Sequence, residues 1–264
     1  MKRFLLAFLS VLLLFPLSMV AQEAEVDGEK DDDVESSLNI GVEKKLTKKL
    51  SASLEGELRT RDDFNSLDRI SLSPSIEYKL VKHLKLTVGG AYAYVNNETK
   101  EKYRDDGTLK WQRRSCWSSR FRGYAALTGS TSIGRFNIAL RERYQFTYRT
   151  GYTARRDYYS RDGEYKYTMK DIRDGKSHQV LRSRLMVDYN IRHSAFTPFA
   201  SVEMTNDLND GFFVDKLRYS IGVDWKLNKH NVLEFGYMYQ DVRADDGEDE
   251  RNSHIISIGY RFKF

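Results

Sequence analysis

The 264-residue chain has a formal charge of +5, is 31% charged and only 40% hydrophobic, and holds a single cysteine, Cys116. That length suits one large domain, and nothing in the composition marks a linker between two cores. Beyond the N-terminus no apolar run approaches the ~18 residues of a membrane-spanning helix, and one thiol excludes an internal disulfide. A soluble β-protein and a membrane β-barrel both remain, because alternation halves the apolar content of a barrel strand.

Residues 1–21 read as a secretory signal. Lys2 and Arg3 precede an apolar run from Phe4 to Leu17, and small or weakly polar residues lead to cleavage after Ala21. Removing the signal lowers the formal charge to +3. Residues 23–35 then hold eight carboxylates against Lys30, a net of −7, so the rest of the mature chain carries about +10. This acidic leader, 22–36, is expected to be disordered. It either hangs free or folds into a barrel mouth against basic residues. A basic exported body faces anionic lipid headgroups or polysaccharide, and no nucleic acid.

From residue 37 onward, strand-like alternation recurs. Leu38, Ile40, Val42 and Leu46 alternate with Asn39, Gly41, Glu43 and Lys45. A turn at Thr47–Lys49 leads to Leu50, Ala52, Leu54, Gly56 and Leu58, and a modest loop at 62–67 follows. The stretch Arg69–Leu80, RISLSPSIEYKL, is the clearest example: Ile70, Leu72, Pro74, Ile76, Tyr78 and Leu80 share one face, and polar residues occupy the other. Its length exceeds an ordinary soluble strand and fits a tilted bilayer crossing. Further strands are expected at 84–94, 121–127 and 134–149, then at 181–191, 196–204 and 217–227, and last at 233–239 and 256–264. The polar stretches 95–118 and 149–177 are expected to be long loops.

Short and long connections alternate, as periplasmic turns and extracellular loops do. Aromatic residues sort to the two strand ends, with Tyr92, Tyr94, Tyr144, Phe146, Tyr148, Tyr219, Tyr237 and Tyr239 near the long loops. Phe136, Tyr189, Phe196, Trp225, Phe262 and Phe264 lie near the short turns. The expectation is an all-β, closed antiparallel transmembrane β-barrel over 37–264, with a soluble periplasmic β-protein as the alternative. Eleven segments can be counted, but bacterial single-chain barrels have even strand numbers, so ten or twelve are expected. A chain ending at the short-turn side also forces an odd first strand to start at the loop side. Pro74 and Pro198 each remove a ladder hydrogen bond and call for local bulges.

The segments Lys44–Lys49 (KKLTKK), Gly134–Arg149, Leu181–Leu185 (LRSRL), Phe199–Glu203 (FASVE), Val223–Lys229 (VDWKLNK) and Gly259–Phe264 (GYRFKF) resemble those of a domain-of-unknown-function family. Its members are small exported outer-membrane proteins of Gram-negative bacteria. The resemblance covers nearly the whole mature chain. It implies a barrel among outer-membrane lipids, and the family has no assigned activity, so no catalytic residue carries over; no cofactor is expected. The family's first strand commonly has a Trp, where this chain has Ser37 and Leu38. The aromatic C-terminus is similar to the signal read by barrel-assembly machinery.

Two groups of residues are candidates for function. The inward parity of Arg141, Arg143, Arg182 and Arg184, with Glu55, Glu57 and Glu203, predicts a charged lumen, joined by Arg59, Arg122, Arg218 and Arg261. Such a lumen is either a charge-paired plug, giving a closed porin-like or envelope-binding barrel, or a narrow passage for small anions. In the 95–118 loop, Trp111, Arg113, Arg114 and Trp117 combine aromatic faces with guanidinium groups suited to glycan or lipid headgroups. Glu142 falls on the lipid-facing side in mid-strand, which calls for a local partner or a protomer contact. His254 and Ser257 face opposite sides of their strand and form no dyad, so no enzyme is expected. The acidic run Asp245–Glu250 could gather a divalent cation but lacks EF-hand spacing. Oligomeric state is left open.

Overall fold

A computed structural model describes residues 32–209, 211–243 and 252–264. The expected signal at 1–21, the leader over 22–31 and the Asp245–Glu250 run lie outside the described residues. Eleven strands form the barrel: β1 (Asp33–Lys45), β2 (Leu50–Arg61), β3 (Ser66–Val81), β4 (Leu84–Asn97), β7 (Cys116–Ile133), β8 (Phe136–Arg149), β11 (Lys176–Tyr189), β12 (Phe196–Asp207), β13 (Val214–Lys226), β14 (Asn231–Val242) and β15 (Ser253–Lys263). They pair in that order, and β15 closes on β1. Four more strands, β5 (Lys100–Tyr103), β6 (Leu109–Arg113), β9 (Tyr152–Tyr159) and β10 (Tyr165–Arg173), form a separate sheet in the order β10-β9-β6-β5.

The strand count corrects the expected ten or twelve, and the closure corrects the fully antiparallel arrangement. Every barrel neighbour is antiparallel except β1 and β15, which run parallel from Asp33 opposite Ser253 to Glu43 opposite Lys263. An odd number of up-and-down strands leaves the first and last running the same way. That geometry removes the conflict noted above: β1 starts at the long-loop rim and β15 ends at the short-turn rim.

Parity assigns each side chain to one of two environments. Leu38, Ile40, Leu54, Ile70, Leu72, Ile76, Val88, Ile221, Ile256 and Ile258 point away from the axis, each 45–60% exposed. Arg59 and Glu203 point inward and are 7% and 5% exposed. A water-soluble β-barrel would have this the other way round. The aromatic pairs mark the edges of the apolar band. Tyr92–Phe121 (5.3 Å between rings) and Tyr94–Trp117 (4.8 Å) lie at the loop end. Phe136–Tyr189 (4.9 Å) and Phe196–Trp225 (5.7 Å) lie at the turn end. From Phe136 to Tyr148 along β8, a rise of about 3.3 Å per residue tilted by about 40° spans roughly 30 Å, the thickness of a hydrocarbon core.

Local anomalies have local causes. Around Pro74 the β3–β4 ladder lacks bridges between Leu72 and Ser75, yet keeps its register, while Pro74 still faces Leu54 on β2. Pro198 faces Val223 on β13, and pairing with β11 has ended one residue later, at Phe199. The expected bulges are absent at both sites, because each missing N–H faces an interrupted side of the ladder. Glu142 points outward and accepts the Ser183 hydroxyl at 2.5 Å. This satisfies one carboxylate oxygen on the membrane face.

The described end of the leader is ordered, correcting its expected disorder over Asp33–Ser36. Glu35 pairs with Arg59 inside the barrel. Asp33 accepts the backbone N–H groups of Asp62 and Asp63, both at 3.2 Å. Those two residues and Phe64 adopt left-handed φ values of 52°, 53° and 69°, a conformation that costs about 1–2 kcal/mol per residue without such support. The long segments 95–118 and 149–177 are also not plain loops, since they contain β5, β6, β9 and β10. Frequent lysine and arginine on both faces of these strands hide the alternation.

Two inward glycines make room for rings. A Cβ on Gly89 would sit 2.5 Å from the Tyr124 ring, and one on Gly222 would sit 2.5 Å from the Phe199 ring and 2.6 Å from the Phe235 carbonyl oxygen. Gly123 faces open space instead. Gly222→Val is therefore expected to lower the urea unfolding midpoint of the refolded barrel by the equivalent of about 1–3 kcal/mol. Gly123→Ala should leave it nearly unchanged. Equal midpoints for the two variants would remove the ring-over-glycine account.

Candidate functional site

The lumen is built by register. Antiparallel pairing of β8 with β11 sets Arg143 directly opposite Arg182 and Arg141 opposite Arg184. Like charges in such positions repel, so a carboxylate must intervene. It comes from β12, where Glu203 faces Arg184 across the ladder. Glu203 accepts from three guanidinium groups: Arg141 Nη2 at 2.9 Å, Arg218 Nη1 at 3.2 Å and Arg182, whose Nε lies at 3.0 Å. Gln145 and Gln240 accept further donors from Arg182 (3.3 Å) and Arg218 (2.9 Å). One buried carboxylate thus organises the wall formed by β8, β11, β12 and β13.

The opposite wall has a second carboxylate, Glu57, which accepts from Ser71 (3.3 Å) and Ser37 (3.4 Å). Near the turn end, Arg261 reaches Glu234 at 3.1 Å and Asn137 donates to Asp188 at 2.7 Å. These pairs do not consume the arginines. The Arg143 guanidinium carbon lies over the Tyr124 ring, 4.2 Å from its centre. Among the described residues, Arg122, Arg143 and Arg184 each keep a buried Nε without a hydrogen-bond partner.

Between the walls runs a cavity of about 650 Å³, far above the ~10–15 Å³ that one ordered water occupies. Side chains from ten of the eleven barrel strands line it, from Arg120 and His178 near the loop end to Arg261 near the turn end. Among the described residues, eleven lysines and arginines line it, against six carboxylates. A second cavity of about 240 Å³ lies at the mouth, beneath the four-stranded sheet, and shares Arg69 and Arg120 with the first.

All seven lumen candidates, Arg141, Arg143, Arg182, Arg184, Glu55, Glu57 and Glu203, line the large cavity. The four loop candidates are separated. Trp111 and Arg113 line the mouth cavity. Arg114 bonds Asp157 at 2.6 Å with most of its side chain in solvent, and Trp117 stacks on Tyr94 in the aromatic girdle. Arg69, on the expected polar face of its strand but not singled out, also lines the cavity, and sequence reasoning missed Arg120. Extending the alternation of Phe121–Leu127 one residue upstream would have placed Arg120 inside.

Two outcomes are expected. Glu203→Ala leaves three guanidinium groups without their shared partner and should cost about 3–5 kcal/mol of unfolding free energy. Glu55→Ala should cost clearly less in the same urea titration. In the mouth sheet, the Thr168 hydroxyl and the Arg114 guanidinium hold the Asp157 carboxyl below its ordinary value. A depressed folded-state value gives stability that is full above the unfolded pKa of about 3.9 and fades as pH falls through the folded value. The protection factors of the β9 and β10 amides, which remove the intrinsic pH dependence of exchange, should therefore fall on acidification below about pH 4, and should do so less in Asp157→Asn.

No curated protein matches the chain. Among solved structures, the translocator domain of the autotransporter NalP from Neisseria meningitidis is similar at a TM-score of 0.53 and 12% identity, over 75% of this chain and 72% of that one. The β domain of the Bordetella autotransporter BrkA gives 0.48 at 14% identity, over 80% and 78%. The NanC porin gives 0.48 at 16% identity, over 88% and 99%. At 12% identity the likeness to the NalP domain is one of fold: a closed barrel of the outer-membrane kind. The sequence pattern of a family described as protein of unknown function, DUF2490, matches residues 38–251, from within β1 to the residues before β15, and the chain belongs to that family.

Proposed function

We propose that the protein is an outer-membrane barrel that admits small anionic solutes through its arginine-lined lumen. The observation that carries this reading is the cavity of about 650 Å³ reaching from the mouth to the turn end with five more cations than carboxylates on its wall. A salt-bridged plug would require the guanidinium groups to be matched and the space filled. Here Arg122, Arg143 and Arg184 line the open volume, and each retains a buried Nε without a carboxylate or other partner. Rings of fixed positive charge favour anion entry, and several weak sites in series let an anion leave as well as bind.

The apolar band, the two aromatic girdles and an N-terminus with signal-peptide character support residence in the outer membrane of a Gram-negative envelope. The aromatic end at Phe262 and Phe264 suits recognition by barrel-assembly machinery. This function needs no catalytic group and no cofactor.

Planar-bilayer recording tests the proposal. The purified barrel should give stable conductance steps whose reversal potential in a salt gradient indicates anion preference. The double variant Arg122→Glu, Arg143→Glu should move that potential toward cations. A folded barrel with no steps, or with cation preference, would overturn the reading.

A further inference from the structure

The mouth cavity has a composition unlike the lumen below it. Its roof is the mouth-facing side of the four-stranded sheet, where Trp111 and Tyr152 give it an aromatic wall. Arg156 lies over the Trp111 ring at 4.5 Å and Arg149 over the Tyr152 ring at 5.6 Å. Among the described residues, seven lysine and arginine side chains line the cavity against two carboxylates, Asp68 and Glu98. Counting also Asp171 and Asp62, which pair with lining arginines from behind the wall, the cations still outnumber the carboxylates by three. The sheet is also held in shape. Asp171 gathers Arg156 (2.7 Å), Arg173 (3.3 Å) and Arg113 (3.9 Å), and Arg104 ties the two long segments together through the carbonyls of Leu109 (2.8 Å) and Tyr159 (2.6 Å).

We propose that this vestibule is a binding site for a diffusible, monosaccharide-sized ring bearing a carboxylate or a phosphate. At about 240 Å³ it falls below the ~300–1,000 Å³ of drug-sized pockets, so it takes one ring and no polymer. Guanidinium forks match the planar oxygens of a carboxylate or phosphate. Aromatic faces take the apolar side of a sugar ring. Arg69 and Arg120 line both cavities, so an anion released from the vestibule meets the lumen next. The consequence for transport rests on the anion-passage reading, whereas binding does not.

The test uses the full barrel in detergent micelles. Of its three tryptophans, Trp117 and Trp225 are changed to Phe, leaving Trp111 as the reporter. Glucose 6-phosphate, glucuronate, glucose and inorganic phosphate are titrated at constant ionic strength. Saturable fluorescence changes are expected with one or both acidic sugars, and which of them responds identifies the anionic group. Glucose should give no response, and inorganic phosphate should bind at least tenfold more weakly. Arg173→Ala, at a half-exposed position, and Arg113→Ala should each raise Kd at least tenfold while leaving the Trp111 emission without sugar unchanged, with Arg113→Lys restoring part of the affinity. Absence of saturation with both acidic sugars, or inorganic phosphate binding as tightly as they do, would overturn the site. Conductance is recorded on the same samples. A barrel that binds without conducting keeps the site and defeats the passage; one that conducts without binding does the reverse.

Discussion

A strand lying against acyl tails has no water to satisfy its N–H and C=O groups, so the sheet must close on itself. In this chain closure falls to a parallel pair. The β1–β15 seam joins two strands that both descend from the loop rim to the turn rim, and its register runs unbroken over eleven residue pairs. Parallel ladders are slightly weaker per residue than antiparallel ones, and this seam has local support. Glu35 on β1 pairs with Arg59 on β2, and the Asp33 carboxylate holds the left-handed turn at Asp62 and Asp63. These contacts fasten β1 to β2, its neighbour on the side away from the seam, while Lys263–Glu43 at 4.0 Å and His254–Asp32 at 3.1 Å reach across the seam itself.

Closure also determines what fills the interior. With most aliphatic residues committed to the outer face, the inward parity is mainly polar, Val95, Val180 and Val232 being exceptions, and long charged side chains occupy the lumen. Their arrangement is unequal. Glu203 binds three arginines on one wall, while Arg143 is held against an aromatic ring. Desolvated guanidinium groups need their donors satisfied, and the carboxylates of the lumen do not satisfy all of them. The same excess of positive charge that destabilises an empty lumen attracts an anion into it, so architecture and the proposed passage share one cause.

The two long segments between β4 and β7 and between β8 and β11 carry the chemistry of the mouth. Their cross-pairing through β6 and β9 converts two loops into one sheet, which fixes Trp111, Tyr152 and Arg113 relative to the rim. Trp117, only six residues from Trp111, belongs instead to the membrane girdle. Nearness in sequence was a poor guide to shared function here, because the strand break between Arg113 and Cys116 separates the aqueous sheet from the membrane wall.

Much of the barrel was legible in the order of residues alone. Period-two alternation in segments such as Arg69–Leu80 identifies the faces, because a strand offers only two, and aromatic placement identifies the ends. The inward positions of Arg141, Arg143, Arg182 and Arg184 follow from the same parity. Register, closure and partner choice did not. Whether Arg182 meets Arg143 or a carboxylate depends on how two strands slide past one another. The eleven-strand count depends on whether the first and last strands can pair in parallel. The merging of two charged loops into a sheet depends on contacts between residues some 45 positions apart. Local pattern specifies which side of a strand each residue takes, since that is a property of one backbone; tertiary structure alone decides which side chains meet, since that is a property of two.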